Sequence, residues 1–180
     1  MKQNTLTYLI VVATLALITA YALYNRGKSC PCCHGDSHHA QEVTFAMIKP
    51  DAVAAGKVQD IIKIIKDHGF TIATQSSEMI ITKKDAEEFY AVHKDKPFFN
   101  DLVNFITSGP IVTLALKKDN AVKAWRDLMG ATDPQKAQEG TIRKLFGTDI
   151  GHNAVHGSDS VENAQKELAL FFDKKFLDSF

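Results

Sequence analysis

The 180-residue chain carries 21 basic and 21 acidic side chains, a formal charge of zero, and 45% of its residues are apolar. Its length and composition suit one compact domain with an appendage. Zero net charge excludes a global field that would gather nucleic acid or anionic lipid, so any bound anion must be held by a few placed groups.

The first element is an uncharged apolar run from Leu6 to Leu23. As a helix it would span about 27 Å at ~1.5 Å per residue, close to the ~30 Å hydrocarbon core of a bilayer. Residues 1–28 therefore read as a membrane anchor through residues 6–23, with Tyr21 and Tyr24 at the interface and Arg26 and Lys28 beyond it. The alternative is a signal segment cleaved near Ala20, Tyr21 and Ala22; the single basic side chain of Lys2 and the length of the run favour the anchor. Residues 29–41 form a linker around "CPCCHGDSHH", ten residues with no apolar partner to build a core. Its thiols and imidazoles suit a Zn or Cu ion, with Cys30, Cys32, Cys33 and His34 as candidate ligands. The spacing matches no standard finger, and a solvated linker with incidental thiols is the competing reading.

From residue 42 to 180, apolar runs of strand length alternate with stretches of helical period. "VTFAMIKP" reads as a buried strand ending at Pro50; Val58, Ile61, Ile62 and Ile65 then fall on one helical face, and Gly69 closes that helix. "FTIATQSSEMIIT" predicts a second strand, followed by a helix over Asp85–His93 and a short one over Pro97–Ile106 with Pro97 in its first turn. Gly109-Pro110 breaks the chain before a third strand, "IVTLAL". Asn120–Met129 is helical, Gly130–Gly151 is irregular, and "NAVH" is a short fourth strand. Asp159, with Glu162 three residues on, is the expected start of a last helix. This order predicts an α+β fold: a ferredoxin-like antiparallel four-stranded sheet (βαββαβ core) covered by helices on one face, preceded by one N-terminal hydrophobic helix.

In "NAVHGSD" His156 ends an apolar strand, and Gly157 after it permits close approach by another group. A neutral imidazole keeps a lone pair that can attack phosphorus. Taken alone, such a histidine is more often a cap than a nucleophile. Lys49, Arg126 and Arg143 shift the balance, because each ends or follows a structured segment and phosphoryl transfer needs converging cations on the phosphate oxygens. Tyr90, Thr132, Thr141, Asn153 and Ser158 add donors, and an exposed ring at Phe98 or Phe99 could clamp a base. No GxxxxGK loop is present, which disfavours a P-loop kinase.

"TFAMIKPDAV", "FYAVHKDKPFFNDLV", "SGPIV", "MGATDPQKAQEGTIR" and "NAVHGSDSVENAQKE" together resemble the nucleoside diphosphate kinases, in the same order and spacing, over roughly residues 43–172. The resemblance implies reversible, ping-pong transfer of the terminal phosphate from a nucleoside triphosphate such as ATP to a nucleoside diphosphate, maintaining the triphosphate pools, through a pros-phosphohistidine at His156. It implies that Glu167 orients the imidazole with Ser158 beside it, and that Lys49, Tyr90, Leu102, Arg126, Thr132, Arg143 and Asn153 contact the nucleotide while Phe98 stacks on its base. It further implies one Mg ion held mostly by phosphate oxygens and water, no nucleic-acid partner, and assembly as a hexamer or tetramer. Lys144, Leu145, Gln59 and Asp133 depart from the family pattern without removing a catalytic group. Because nucleoside triphosphates are abundant in the cytosol, the catalytic domain is expected on the cytoplasmic side, the alternative being export after signal cleavage.

Overall fold

The computed structural model describes residues 41–178. The apolar run at 6–23 and the Cys/His linker lie outside the described residues. Among those described, no helix is long and apolar enough to cross a membrane.

Strand β1 (Glu42–Ile48) leads into a one-turn helix α1 (Pro50–Ala54) and then α2 (Val58–Asp67). Next come β2 (Thr71–Gln75), α3 (Lys83–Phe89), α4 (Phe99–Ile106), β3 (Val112–Lys118) and α5 (Ala121–Met129). The chain finishes with α6 (Ile142–Phe146), β4 (Val155–Gly157), α7 (Val161–Phe171) and α8 (Lys174–Leu177). The four strands form one antiparallel sheet in the order β2-β3-β1-β4, the arrangement expected of two interleaved strand–helix–strand units.

Both faces of this sheet are covered, not one. Along β1, alternate side chains point to opposite faces: Ala46 and Ile48 join Ile61, Ile65, Trp125 and Leu128 of α2 and α5, while Phe45 and Met47 join Phe89, Ile106 and Leu168 of α3, α4 and α7. The two crossover helices do share a face, as predicted. The second layer is built from the segment between β2 and β3 and from α7, whose apolar stripes are too short to signal a separate layer in the sequence. The unbroken apolar run Phe45–Ile48 in β1 reflects this sandwiching.

Several boundaries differ from those expected. The second strand stops at Gln75: Ser76 places its hydroxyl on the Thr113 amide at 3.0 Å, and only Met79 pairs again, with Ile111. The polar run Gln75–Glu78 has no apolar side chain to bury on either face. Helix α3 starts earlier than Asp85, at Lys83, because Thr82 accepts the Asp85 amide at 3.2 Å. It ends at Phe89, and Ala91–His93 forms only a 3₁₀ turn. Pro97 precedes α4 instead of opening it. Helix α7 is capped by Ser160, whose hydroxyl accepts the Asn163 amide at 3.1 Å; Asp159, the expected start, instead accepts from the Asn163 side chain. The 130–151 segment, expected to be irregular, contains α6.

Replacing Ser160 by Ala leaves the first turn of α7 with an unpaired donor. Urea denaturation is expected to register a loss of about 1 kcal/mol; no loss would mean that Ser160 does not cap the helix.

Candidate active site

His156 lies in a strand of three residues at the edge of the sheet. It pairs with Met47, between the pairs Ile48–Val155 and Ala46–Gly157. Directly paired residues share a face, so the imidazole emerges with Met47 on the α3/α7 side. There it is walled by rings: Phe89 edge-on at 5.0 Å between centroids, Tyr90 at 6.0 Å and Phe45 at 6.2 Å. Phe171 of α7 stacks on Phe45 at 5.1 Å and closes the cluster behind them.

One helical turn before Phe171 on the same helix, Glu167 brings Oε1 to 3.1 Å from His156 Nε2. Its second oxygen accepts the Ser158 hydroxyl at 2.5 Å, and Ser158 is fully buried. An ionised carboxylate only accepts, so Nε2 carries the hydrogen and Nδ1 keeps its lone pair. Nδ1 has no hydrogen bond to the described residues.

On the other side of β4 the chain is stitched to the end of β1. The Lys49 amide donates to Ala154 O at 2.9 Å, and the Ala154 amide donates to Asp51 Oδ2 at 2.9 Å. Ala154 has φ of +66°, a conformation an alanine rarely adopts, held by these two bonds. Asp51, unremarked as a site residue from the sequence, is thus what sets up the turn into β4. The motif "IKPD" gains a physical reading: Lys49 reaches Asn153, Pro50 opens α1 and Asp51 holds the turn.

Lys49 is 6% exposed and donates to Asn153 Oδ1 at 2.8 Å. The Asn153 amide donates to the carbonyls of Ile150 and Thr132, at 2.9 and 3.0 Å, which ties the exposed Thr132 loop to the lysine. Arg143 spans from Gly130 O (3.0 Å) to Val155 O (3.1 Å), the carbonyl just before His156. Burial, then the field of Arg143, lowers the Lys49 pKa to about 8, with Asp51 opposing. Burial, then the exposed Arg126 on α5, lowers Arg143 to about 10. Arg143 thus stands in the field of both Lys49 and Arg126, with Asp51 opposing at Lys49, an arrangement suited to a compact polyanion. Tyr90 is the converse: burial and the charge of Glu167 raise its pKa, so its phenol stays a neutral donor. The Tyr90 hydroxyl, Arg143 Nε and Asp51 Oδ1 are buried without a hydrogen bond to the described residues.

Phe98 stands at the start of α4, 51% exposed, with its ring 5.8 Å from that of His93; Leu102, one turn on, is half-buried. Phe99 turns toward the core. Thr141 spends its hydroxyl on Gln138 O at 2.6 Å. Departures from the family pattern sit at the surface: Lys144 pairs with Glu139, Asp133 with Lys136, and Leu145 and Gln59 are exposed. The cysteines and His34 lie outside the described residues. Among the described residues, no three His, Cys, Asp or Glu side chains converge as a metal site.

The family model described as nucleoside diphosphate kinase matches residues 42–177. The chain belongs to the nucleoside diphosphate kinase family. A nucleoside diphosphate kinase of Nitratiruptor sp. is 52% identical over 134 residues, 74% of this chain and 97% of that one. The Wolinella succinogenes kinase is 53% identical over 131 residues, 73% and 95% of the two chains. Among solved structures, the Aquifex aeolicus kinase superposes with a TM-score of 0.73 at 39% identity, covering 75% of this chain and 97% of that one. The Halobacterium salinarum kinase in complex with CDP gives 0.71 at 44%, covering 75% and 90%. The activity is that of the family: reversible transfer of a terminal phosphate between nucleoside tri- and diphosphates by a ping-pong route.

Lys49 supplies a pH test of the electrostatics. Between about pH 8 and the ordinary lysine value of 10.5, the unfolded chain holds a proton that the folded chain has lost, so stability contributed at this position rises with pH. The stability of the parent relative to Lys49→Met, followed by urea denaturation, is expected to improve from about pH 7 to about pH 9.5. A difference that stays flat would contradict the lowered pKa.

Proposed function

We propose that His156 carries the phosphoryl group of this kinase on Nδ1, the pros nitrogen. The observation that supports it is the contact of Nε2 with Glu167, which commits that nitrogen and leaves the other as the nucleophile. In the first half-reaction an Nδ1–P bond forms while the bond from the terminal phosphorus to its bridging oxygen breaks, and the diphosphate leaves with the electron pair. In the second, a terminal oxygen of an acceptor diphosphate attacks the same phosphorus and the Nδ1–P bond breaks. The proton stays on Nε2, where Glu167 steadies the imidazolium, and Ser158 holds the second oxygen of that carboxylate in place.

Lys49, Arg126 and Arg143 take the phosphate oxygens, and Tyr90 adds a neutral donor. Asn153 and Thr132 face the sugar and its nearest phosphate. Phe98, with Leu102 one turn on, offers a flat apolar surface to the base; stacking reads no hydrogen-bond pattern, so base preference is weak. A Mg ion arriving with the nucleotide would be held mostly by the nucleotide's own phosphate oxygens and by water. Bound there, it neutralises charge on the transferring group.

The same reading extends to assembly and placement. The domain forms a hexamer or tetramer, residues 6–23 anchor it in a membrane, and the catalytic domain faces the cytoplasm, where its donor is abundant. The segment Cys30, Cys32, Cys33 and His34 is a candidate Zn or Cu site beside that anchor.

Exchange of terminal phosphate between ATP and a nucleoside diphosphate is the direct test. His156→Ala is expected to abolish turnover, and Glu167→Gln to lower kcat by about 10²-fold while leaving KM nearly unchanged, the pattern of a group acting in the transition state. Residual exchange near the parent rate in His156→Ala would sink the assignment.

A further inference from the structure

The chain has a single tryptophan in 180 residues. Trp125 is fully buried in α5, edge-on to Phe70 at 6.2 Å between centroids, and its indole Nε1 donates to the backbone carbonyl of His156 at 3.2 Å. The space for it is made by Gly157: a Cβ at that position would sit 2.2 Å from Trp125 Nε1 and 2.8 Å from the Met129 methyl. The indole therefore approaches β4 from the face opposite the imidazole and grips the nucleophile's own peptide unit.

A plain core tryptophan would satisfy its N–H on any nearby acceptor. Two features argue for more. Strand β4 has three residues and lies at the sheet edge, so its ladder with β1 alone constrains it weakly. And the residue after Trp125 is Arg126, which adds to the positive field at Arg143. One helix thus holds both the backbone of the nucleophile and a cation of the site.

We propose that Trp125 is a positioning residue for phosphoryl transfer: its indole N–H fixes the reach of His156 toward the terminal phosphorus and ties that reach to Arg126 through α5. This rests on His156 being the phosphoryl carrier. An imidazole that pivots by a fraction of an ångström about an untethered peptide loses its in-line approach, while nucleotide contacts made by Lys49 and Asn153 are untouched. The loss belongs in kcat and not in KM.

Because the chain has one tryptophan, biosynthetic replacement of tryptophan by benzothienylalanine changes this site alone, exchanging N–H for sulfur with little change of shape. The full chain carrying it is expected to melt close to the parent and to lose about tenfold in kcat with KM for ATP within about twofold. Trp125→Phe is the second variant, with the same split expected. In the unmodified protein, the lone ¹⁵N-labelled indole resonance is expected to shift when ATP phosphorylates the enzyme and to return on adding diphosphate. An unchanged kcat in whichever variant folds, or an indole resonance indifferent to phosphorylation, overturns the proposal. A His156→Ala control separates the two readings: phosphorylation or exchange persisting there removes the carrier assignment itself, whereas a silent control with no effect at Trp125 removes only this inference.

Discussion

The hydrogen bond between Glu167 and His156 Nε2 is the contact on which the proposed mechanism depends, because it occupies one imidazole nitrogen and leaves Nδ1 with its lone pair. Its geometry is fixed by the helix that carries the glutamate and by the turn that leads into that helix. Ser160 starts α7 two residues beyond Ser158, and the stripe of that helix puts Leu168 and Phe171 into the ring cluster under β1, which sets the height at which Glu167 meets the strand. Ser158 then holds the carboxylate's second oxygen from the strand side. A carboxylate so bound loses rotamer freedom before any nucleotide arrives, and that preorganisation is what a short-lived charged state on the imidazole requires.

The cost of the site is electrostatic and is visible in its buried charges. A lysine with 6% exposure and a largely buried arginine repel one another, and only Asp51 opposes them directly. Their remaining satisfaction is local: Lys49 on Asn153, Arg143 on two carbonyls at the ends of α5 and β4. A polyphosphate would reverse the repulsion and supply acceptors for Tyr90 and Arg143 Nε, which have none among the described residues. In the proposed mechanism the residues that would take the phosphates also brace the strand that carries His156, so loss of either role in a variant needs a KM measurement to interpret.

Much of this was legible in the residues. The strand and helix order and the antiparallel four-stranded sheet agree with the pattern read from the chain; of the residues singled out there, Lys49 is bonded to Asn153, Arg143 to the Val155 carbonyl and Ser158 to Glu167. What escaped depends on contacts across long stretches of sequence. Nothing in the sequence marks Asp51, whose role shows only in the bond it accepts from Ala154, 103 residues away. Trp125 reads as core on a helical face, with nothing to mark its bond to a carbonyl 31 residues on. The end of β2 was missed because "SSEMIIT" has strand-forming residues, yet the hydroxyl of Ser76 takes the bond that would continue the ladder. Asp159 and Ser160 are both good caps, and only backbone direction chooses between them. The second layer of helices was underestimated since α3 and α4 are of seven and eight residues, too short for a strong periodic signal.

The central claim is chemical: phosphate rests on Nδ1 of His156 because Nε2 is held by Glu167. Phosphorus NMR of the full chain after reaction with ATP, with the labelled site located by mass spectrometry, measures this directly. The account predicts one acid-labile phosphohistidine at His156 with the resonance of the pros isomer, discharged on adding a nucleoside diphosphate. A tele isomer on Nε2, or a phosphoryl group stable on any other residue during turnover, would contradict it.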